Sequence, residues 1–236
     1  MVELELTPSS FEKVQTLGEA ETEKEDRPMG NVFGNVMHRS FELYVRKYKE
    51  SNASSLSEEE FRALIRIAIM ESAAEIDERY KNKGGYEKNA LEFEEYLLPR
   101  LMAFSQDKEI LECFEEAGDR ANIHPEYNFS FTSAFGDFKK DMPQASQELL
   151  DTYDNIADDT KVWVHGISDL VLFWPRQREV LIIDYKSDAK RISETLEEFE
   201  KRLYAKYSLQ LAFYEYAMKR AFGEGVEVRS RLYHLY

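Results

Sequence analysis

Residues 165–187 read HGISDLVLFWPRQREVLIIDYKS: two apolar runs about a proline-led turn, with Asp169 in the first and Asp184 in the second. Carboxylates are costly to bury inside strands unless something pairs with them, so their presence there demands a reason. If Trp174 and Glu179 close a hairpin around Pro175 to Arg178, antiparallel partners have residue numbers summing to 353. Asp169 then falls opposite Asp184, with Cβ atoms about 4.5–5.5 Å apart on one face. Lys186, two residues further, shares that face by strand alternation. A β-bulge in either run would break this arithmetic.

Two like charges that close repel, and one carboxyl takes up a proton unless a cation sits between them. Oxygen ligands suit Mg²⁺ or Mn²⁺, and magnesium commonly takes only one or two protein carboxylates, with substrate phosphate filling other positions. A neighbouring ammonium can position or deprotonate a bound water and stabilise charge on a phosphorane. The spacing of Asp169, Asp184 and Lys186 therefore predicts metal-assisted hydrolysis of a phosphodiester. The competing reading is an ion pair of Asp184 and Lys186 at a strand end, with Asp169 facing water; the opposed aspartate on a preceding apolar strand weighs against it.

Around the hairpin, strands are expected at 162–173 and 179–186, a helix from about Ser193 to Phe222, and a last strand in VEVRSRLYHLY. The continuous apolar run Val180 to Ile183 suits a strand buried on both faces. Upstream, Phe33, Met37, Phe41, Tyr44 and Tyr48 recur at three- and four-residue spacing, which marks an amphipathic helix with His38 at the edge of its stripe. Ser57 with Glu60 resembles a capping box for a second helix through Tyr80. ALEFEEYLLPRLMAFSQ and DKEILECFEEAG read as two more helical pieces, and IHPEYNFSF (123–131) as a strand. The whole, 1–236, is expected to form one domain: a lead-in at 1–29, a mostly helical part at 30–120, and a sheet core at 123–236 with an acidic insertion at 137–160.

The formal net charge of −15 speaks against a polyanionic partner, since such affinity comes mostly from Lys and Arg. Much of the acid is local, however. EAETEKEDR (19–27) holds five acids against two bases, and residues 137–160 hold seven against two. Both read as solvated segments, whereas KSDAKR (186–191) and KRLYAK (201–206) are locally basic. A single cysteine, Cys113, excludes an internal disulfide framework and a multi-thiolate zinc or iron-sulfur cluster. The start lacks the pattern of a signal peptide and no apolar run approaches the ~20 residues of a membrane span, so the expectation is a cytoplasmic protein with no membrane partner.

The order GNVMH, PEYNF, GISDL, DYKS and YSLQLAFY resembles the RecB/AddA-type nuclease domain of the PD-(D/E)xK superfamily over roughly residues 30–236. LTPSSFE is similar to the segment that precedes that domain in helicase-nucleases. The resemblance implies an α/β fold: a restriction-endonuclease-like αβββαβ core, its mixed sheet flanked by helices, plus an N-terminal helical annex. It implies that His38 helps Asp169 and Asp184 bind the metal, with Gly34 leaving room for close approach, and that Lys186 is the catalytic lysine. Gln210 and Tyr214 match Q-x-x-x-Y on the following helix and support the site or contact DNA; Glu126 matches an acidic position on the first core strand. His165, His124 and His234 match no motif position and read as structural. Ser168 departs from the family, which has an aliphatic residue before the aspartate.

The implied function is a Mg²⁺-dependent deoxyribonuclease, with Mn²⁺ as a substitute and no iron-sulfur cluster. It would act as an exonuclease on single-stranded DNA ends, with a helicase motor in the same parent chain or a separate subunit, in recombination and double-strand-break repair. The alternative is a catalytically silent DNA-binding or docking module of the same fold.

Overall fold

The computed structural model describes residues 4–8, 31–50, 56–73, 86–117, 120–142, 153, 155–188, 190–191, 193–223 and 225–234. They divide between two compact units. The first comprises Met1–Glu23, Glu126–Asp184 and Lys190–Leu232; the second comprises Lys24–Pro125, Tyr185–Ala189 and Tyr233–Tyr236.

The first unit is built on a five-stranded mixed sheet. β1 (Leu4–Leu6) pairs in parallel with the start of β3 (Lys161–Trp174), Leu4 beside Val162 and Leu6 beside Val164. β2 (Ile123–Ala134) also pairs with β3. The far half of β3 pairs antiparallel with β4 (Glu179–Lys186), and β5 (Glu227–His234) follows β4 in the strand order. The observed β3–β4 partners run from Trp174 with Glu179 to Leu170 with Ile183, the register in which numbers sum to 353. A four-residue turn joins them, and Arg178 closes it at a φ of 57°, a left-handed backbone conformation uncommon for residues other than glycine. The Arg178 carbonyl accepts a hydrogen bond from Glu227 N (2.8 Å), which ties the turn to the start of β5.

α6 (Leu196–Phe222) covers one face of this sheet. Its start is fixed by Thr195, which caps it reciprocally with Glu198. Leu209, Phe213, Tyr214, Ala217 and Met218 pack on Val162, Val164 and Val171 of β3 and Val180 and Ile182 of β4. Phe135 and Phe138 enter the same core from α5 (Phe135–Asp141). That helix occupies the start of the stretch read as an acidic insertion. The charge counts there obscured two phenylalanines at helical spacing, and burying them outweighs the solubility of the Asp and Lys residues around them. The lead-in likewise supplies a strand, β1, three residues long and too short to show alternation. The segments 19–27 and 143–152 lie outside the described residues.

The second unit is mainly helical: α1 (Asn31–Glu50), α2 (Glu58–Ala73), α3 (Tyr86–Gln106) and α4 (Lys108–Glu116). Ser57 and Glu60 make the expected cap of α2, with Ser57 N donating to Glu60 Oε2 (2.8 Å) and Glu60 N to Ser57 Oγ (3.3 Å). The continuation toward Tyr80 lies outside the described residues. The α1 stripe is buried at Phe33, Met37, Phe41 and Tyr44. Glu94 of α3 accepts from both Arg62 and Arg66 of α2, so the acid-rich helix surfaces are laced by ion pairs. Among the described residues no helix is long and apolar enough to cross a membrane.

Candidate active site

β3 changes its inward phase along its length, and the change surrounds Asp169. In its first half the even positions face α6: Val162 and Val164 are in the core, and a Cβ on Gly166 would meet Phe129 Cζ at 2.8 Å and Pro8 Cδ at 2.7 Å. In its second half Val171 is the core member, an odd position. A strand whose side chains alternate strictly cannot do both, so one step of the pleat is displaced between Gly166 and Val171. The displacement coincides with the exchange of partners, from β1 on the near half to β4 on the far half.

Asp169 and Asp184 are the next residues on each strand beyond the Leu170–Ile183 pair. Both are buried, at 8% and 1% exposure. Val180 and Ile182 belong to the α6 core, so alternation along β4 aims Asp184 to the face that α6 covers. Asp169 and Asp184 therefore sit at the open end of a ladder whose register is defined by five successive pairs. Lys186, also buried, ends β4 two residues on.

Tyr214 reaches this end of the sheet from the helix. Its hydroxyl donates to the carbonyl of Ile167 (3.0 Å), two residues before Asp169. The contact pins the backbone where β3 shifts phase, so the tyrosine of Q-x-x-x-Y is seen in a positioning role. Gln210, one turn earlier on α6, is buried at 5% exposure. Tyr207 and Leu211 beside it belong to a second cluster with Phe199, Leu203 and Leu232. Ser168, the residue that departs from the family pattern, is fully buried, and its hydroxyl finds no hydrogen-bond partner among the described residues.

In the second unit, His38 lies edge-on to Tyr185, with ring centroids 6.0 Å apart. Tyr185 stands between Asp184 and Lys186 in sequence and is gripped by Phe41 (4.8 Å) and Phe104 (5.7 Å). Gly34 passes Ser187, but a Cβ there would meet Ser187 Oγ at 3.7 Å, ordinary contact, so close approach does not require the glycine. Glu126 lies half-buried in β2 at a φ of 51°, an uncommon backbone state for a residue with a side chain.

Among the described residues no three His, Cys, Asp or Glu side chains converge on a point where a metal ion could bind. His38, Glu126 and the two aspartates thus do not form a ready-made cage. The donor set still fits a hard divalent cation of the magnesium type, which one or two carboxylates hold while water and phosphate complete the shell.

No motif marks Trp163 on the other side of β3, and His165 reads from sequence as structural. The structure stacks their rings 4.0 Å apart. The signal that could have found them is the alternation of Val162 and Val164 with outward Trp163 and His165.

Compared with known proteins, residues 9–236 match the family model described as the PD-(D/E)XK nuclease superfamily. A search of curated proteins finds no match to the chain. The mixed sheet flanked by helices is consistent with the restriction-endonuclease-like fold of that superfamily. With a match that covers both compact units and the hairpin with its two aspartates, the chain belongs to the PD-(D/E)XK nuclease superfamily.

Proposed function

We propose that this protein is a Mg²⁺-dependent deoxyribonuclease of the RecB/AddA type, with Mn²⁺ able to replace Mg²⁺, in which the whole chain acts as one nuclease domain. The observation that carries the reading is the pair of buried carboxylates at the end of the β3–β4 ladder, on a strand that runs on to a buried lysine. Asp169 and Asp184 would hold the cation, and the resemblance adds His38 to the ligand set. When bound, the cation polarises the scissile phosphate and lowers the pKa of a coordinated water. Lys186 offers an ammonium to the attacking water and to the charge that develops on phosphorus. Tyr214 holds the backbone ahead of Asp169 through the Ile167 carbonyl, and Gln210 supports the same helix face. Glu126 contributes from β2, either to the site or to DNA.

The substrate proposed is single-stranded DNA, cut from its ends after delivery by a helicase motor in the same parent chain or a separate subunit. This places the activity in recombination and double-strand-break repair in the cytoplasm. Labelled single-stranded DNA with and without Mg²⁺ or Mn²⁺ gives the direct test. Cutting is expected only with metal. Lys186→Ala should lower the rate roughly 10²–10⁴-fold, and Asp184→Ala at least as much, with unfolding curves that show both variants folded. Parental cutting by both variants would refute the assignment.

A further inference from the structure

The near half of β3 turns a second, solvent-facing surface away from α6. Lys161, Trp163, His165 and Ile167 occupy it, with Trp163 38% and Ile167 46% exposed. Glu5 of β1 lies opposite Trp163, and Asn128, Ser130 and Thr132 of β2 are exposed. The Trp163 and His165 rings are stacked, with centroids 4.0 Å apart and planes inclined by 24°. Their polar edges are already committed: Trp163 Nε1 donates to Ser130 Oγ (2.9 Å), and His165 Nε2 lies 2.7 Å from Glu5 Oε1. With the edges tied down, the rings hold a fixed orientation and offer their faces to a ligand.

We propose that this surface is a nucleobase-stacking platform for single-stranded DNA, with a base continuing the Trp163–His165 column and the strand running along β3 past Ile167 toward Asp169. The ligand class rests on the nuclease reading above. Successive bases stack on aromatic faces regardless of sequence, which suits a surface with few polar groups arranged for base readout. Four residues separate His165 from Asp169, about 13 Å of extended strand. That distance is roughly four stacked nucleotides at ~3.4 Å each. The charged neighbours, Lys161 and a Glu5 engaged by His165, supply little net attraction for phosphate, so the contribution is stacking and varies little with salt.

The test uses the full chain in EDTA, where no cutting occurs, with a fluorescein-labelled oligothymidylate. Trp174, the other tryptophan, is 3% exposed. DNA should therefore quench emission from Trp163, and the quenching should persist in Trp174→Phe and vanish in Trp163→Phe. By anisotropy, Trp163→Phe should bind like the parent, and Trp163→Ala should bind about 5- to 150-fold more weakly, by a similar factor at low and high salt. Cleavage by Trp163→Ala in Mn²⁺ should recover at saturating DNA. If Trp163→Ala binds as tightly as the parent, the platform is refuted while the nuclease reading stands. If the parent fails to cut with any divalent metal, the nuclease reading falls, and quenching in EDTA still decides the platform.

Discussion

The two halves of β3 obey different rules although they form one continuous strand. From Lys161 to Ile167 the strand is covered on one side only, and its sequence alternates: Val162 and Val164 inward, Trp163 and Ile167 outward. From Ser168 to Leu172 every residue is buried. An open half can carry its functional groups on the outer face at little cost in stability. A half buried on both faces can carry a charge only where the fold supplies a counterpart, and Asp169 sits at the junction. Polar groups in this molecule thus mean different things in different places: Ser130 on β2 is a surface partner for an indole, while Ser168 is an unsatisfied hydroxyl in the core.

Substitutions in the two halves can break or sharpen this contrast. Ile182→Ala, which empties core volume opposite Val171, should destabilise the protein by about 2–5 kcal/mol in urea unfolding. A cost no greater than that of a surface change would mean the far half is not the tightly packed one. Gly166→Ala tests the near half, where a Cβ would collide with Pro8 and Phe129. A loss of about 1–3 kcal/mol is expected, from overpacking on the α6 side alone. Ser168→Ala should act in the opposite sense, raising stability by about 1 kcal/mol, since it removes a buried hydroxyl that lacks a partner. Equal stability of parent and variant would show that the hydroxyl is satisfied.

The smallest effect lies outside both halves, where α6 begins. Hydrogen bonds from Arg202 (2.8 and 3.0 Å), helped by Arg191 N (3.0 Å), hold the Glu194 carboxyl down to about 2. The folded-state value is below the ordinary 4.5, so the pair's contribution is fully present above that pH and fades as pH falls toward 2. Melting temperatures of the parent and Glu194→Gln should differ at neutral pH and converge across that acid window. A gap that stays constant from neutral pH down to 2 would remove Glu194 as the titrating group.

Much of this was legible in the chain itself, for identifiable reasons. The hairpin register followed from turn placement and two apolar runs. The helices of the second unit followed from the Phe33 to Tyr44 stripe and the Ser57–Glu60 cap. The phase shift in β3 was not legible, because alternation disappears where every residue from Ser168 to Leu172 is buried. α5 was hidden by its acidic surroundings, and β1 by its brevity. For the candidate site, residue order pointed to Asp169, Asp184 and Lys186, whereas the bond from Tyr214 to the Ile167 carbonyl pairs residues far apart in the chain and needed coordinates. The resemblance offered His38 as a metal ligand, while its ring contact with Tyr185 is a fact of packing that no motif encodes.

The turn braced by the Arg178 carbonyl also works as a counter. Its four residues fix which side chains meet across the hairpin, and pairing shifts wholesale when a strand slips by one place. One glycine inserted after Arg176 would leave every acid and base of the site in the chain, yet change which residues confront each other along the ribbon. Enzyme chemistry here depends on loop length as much as on side-chain identity, so loop-length variants offer a way to disarm the protein with its full complement of reactive groups intact.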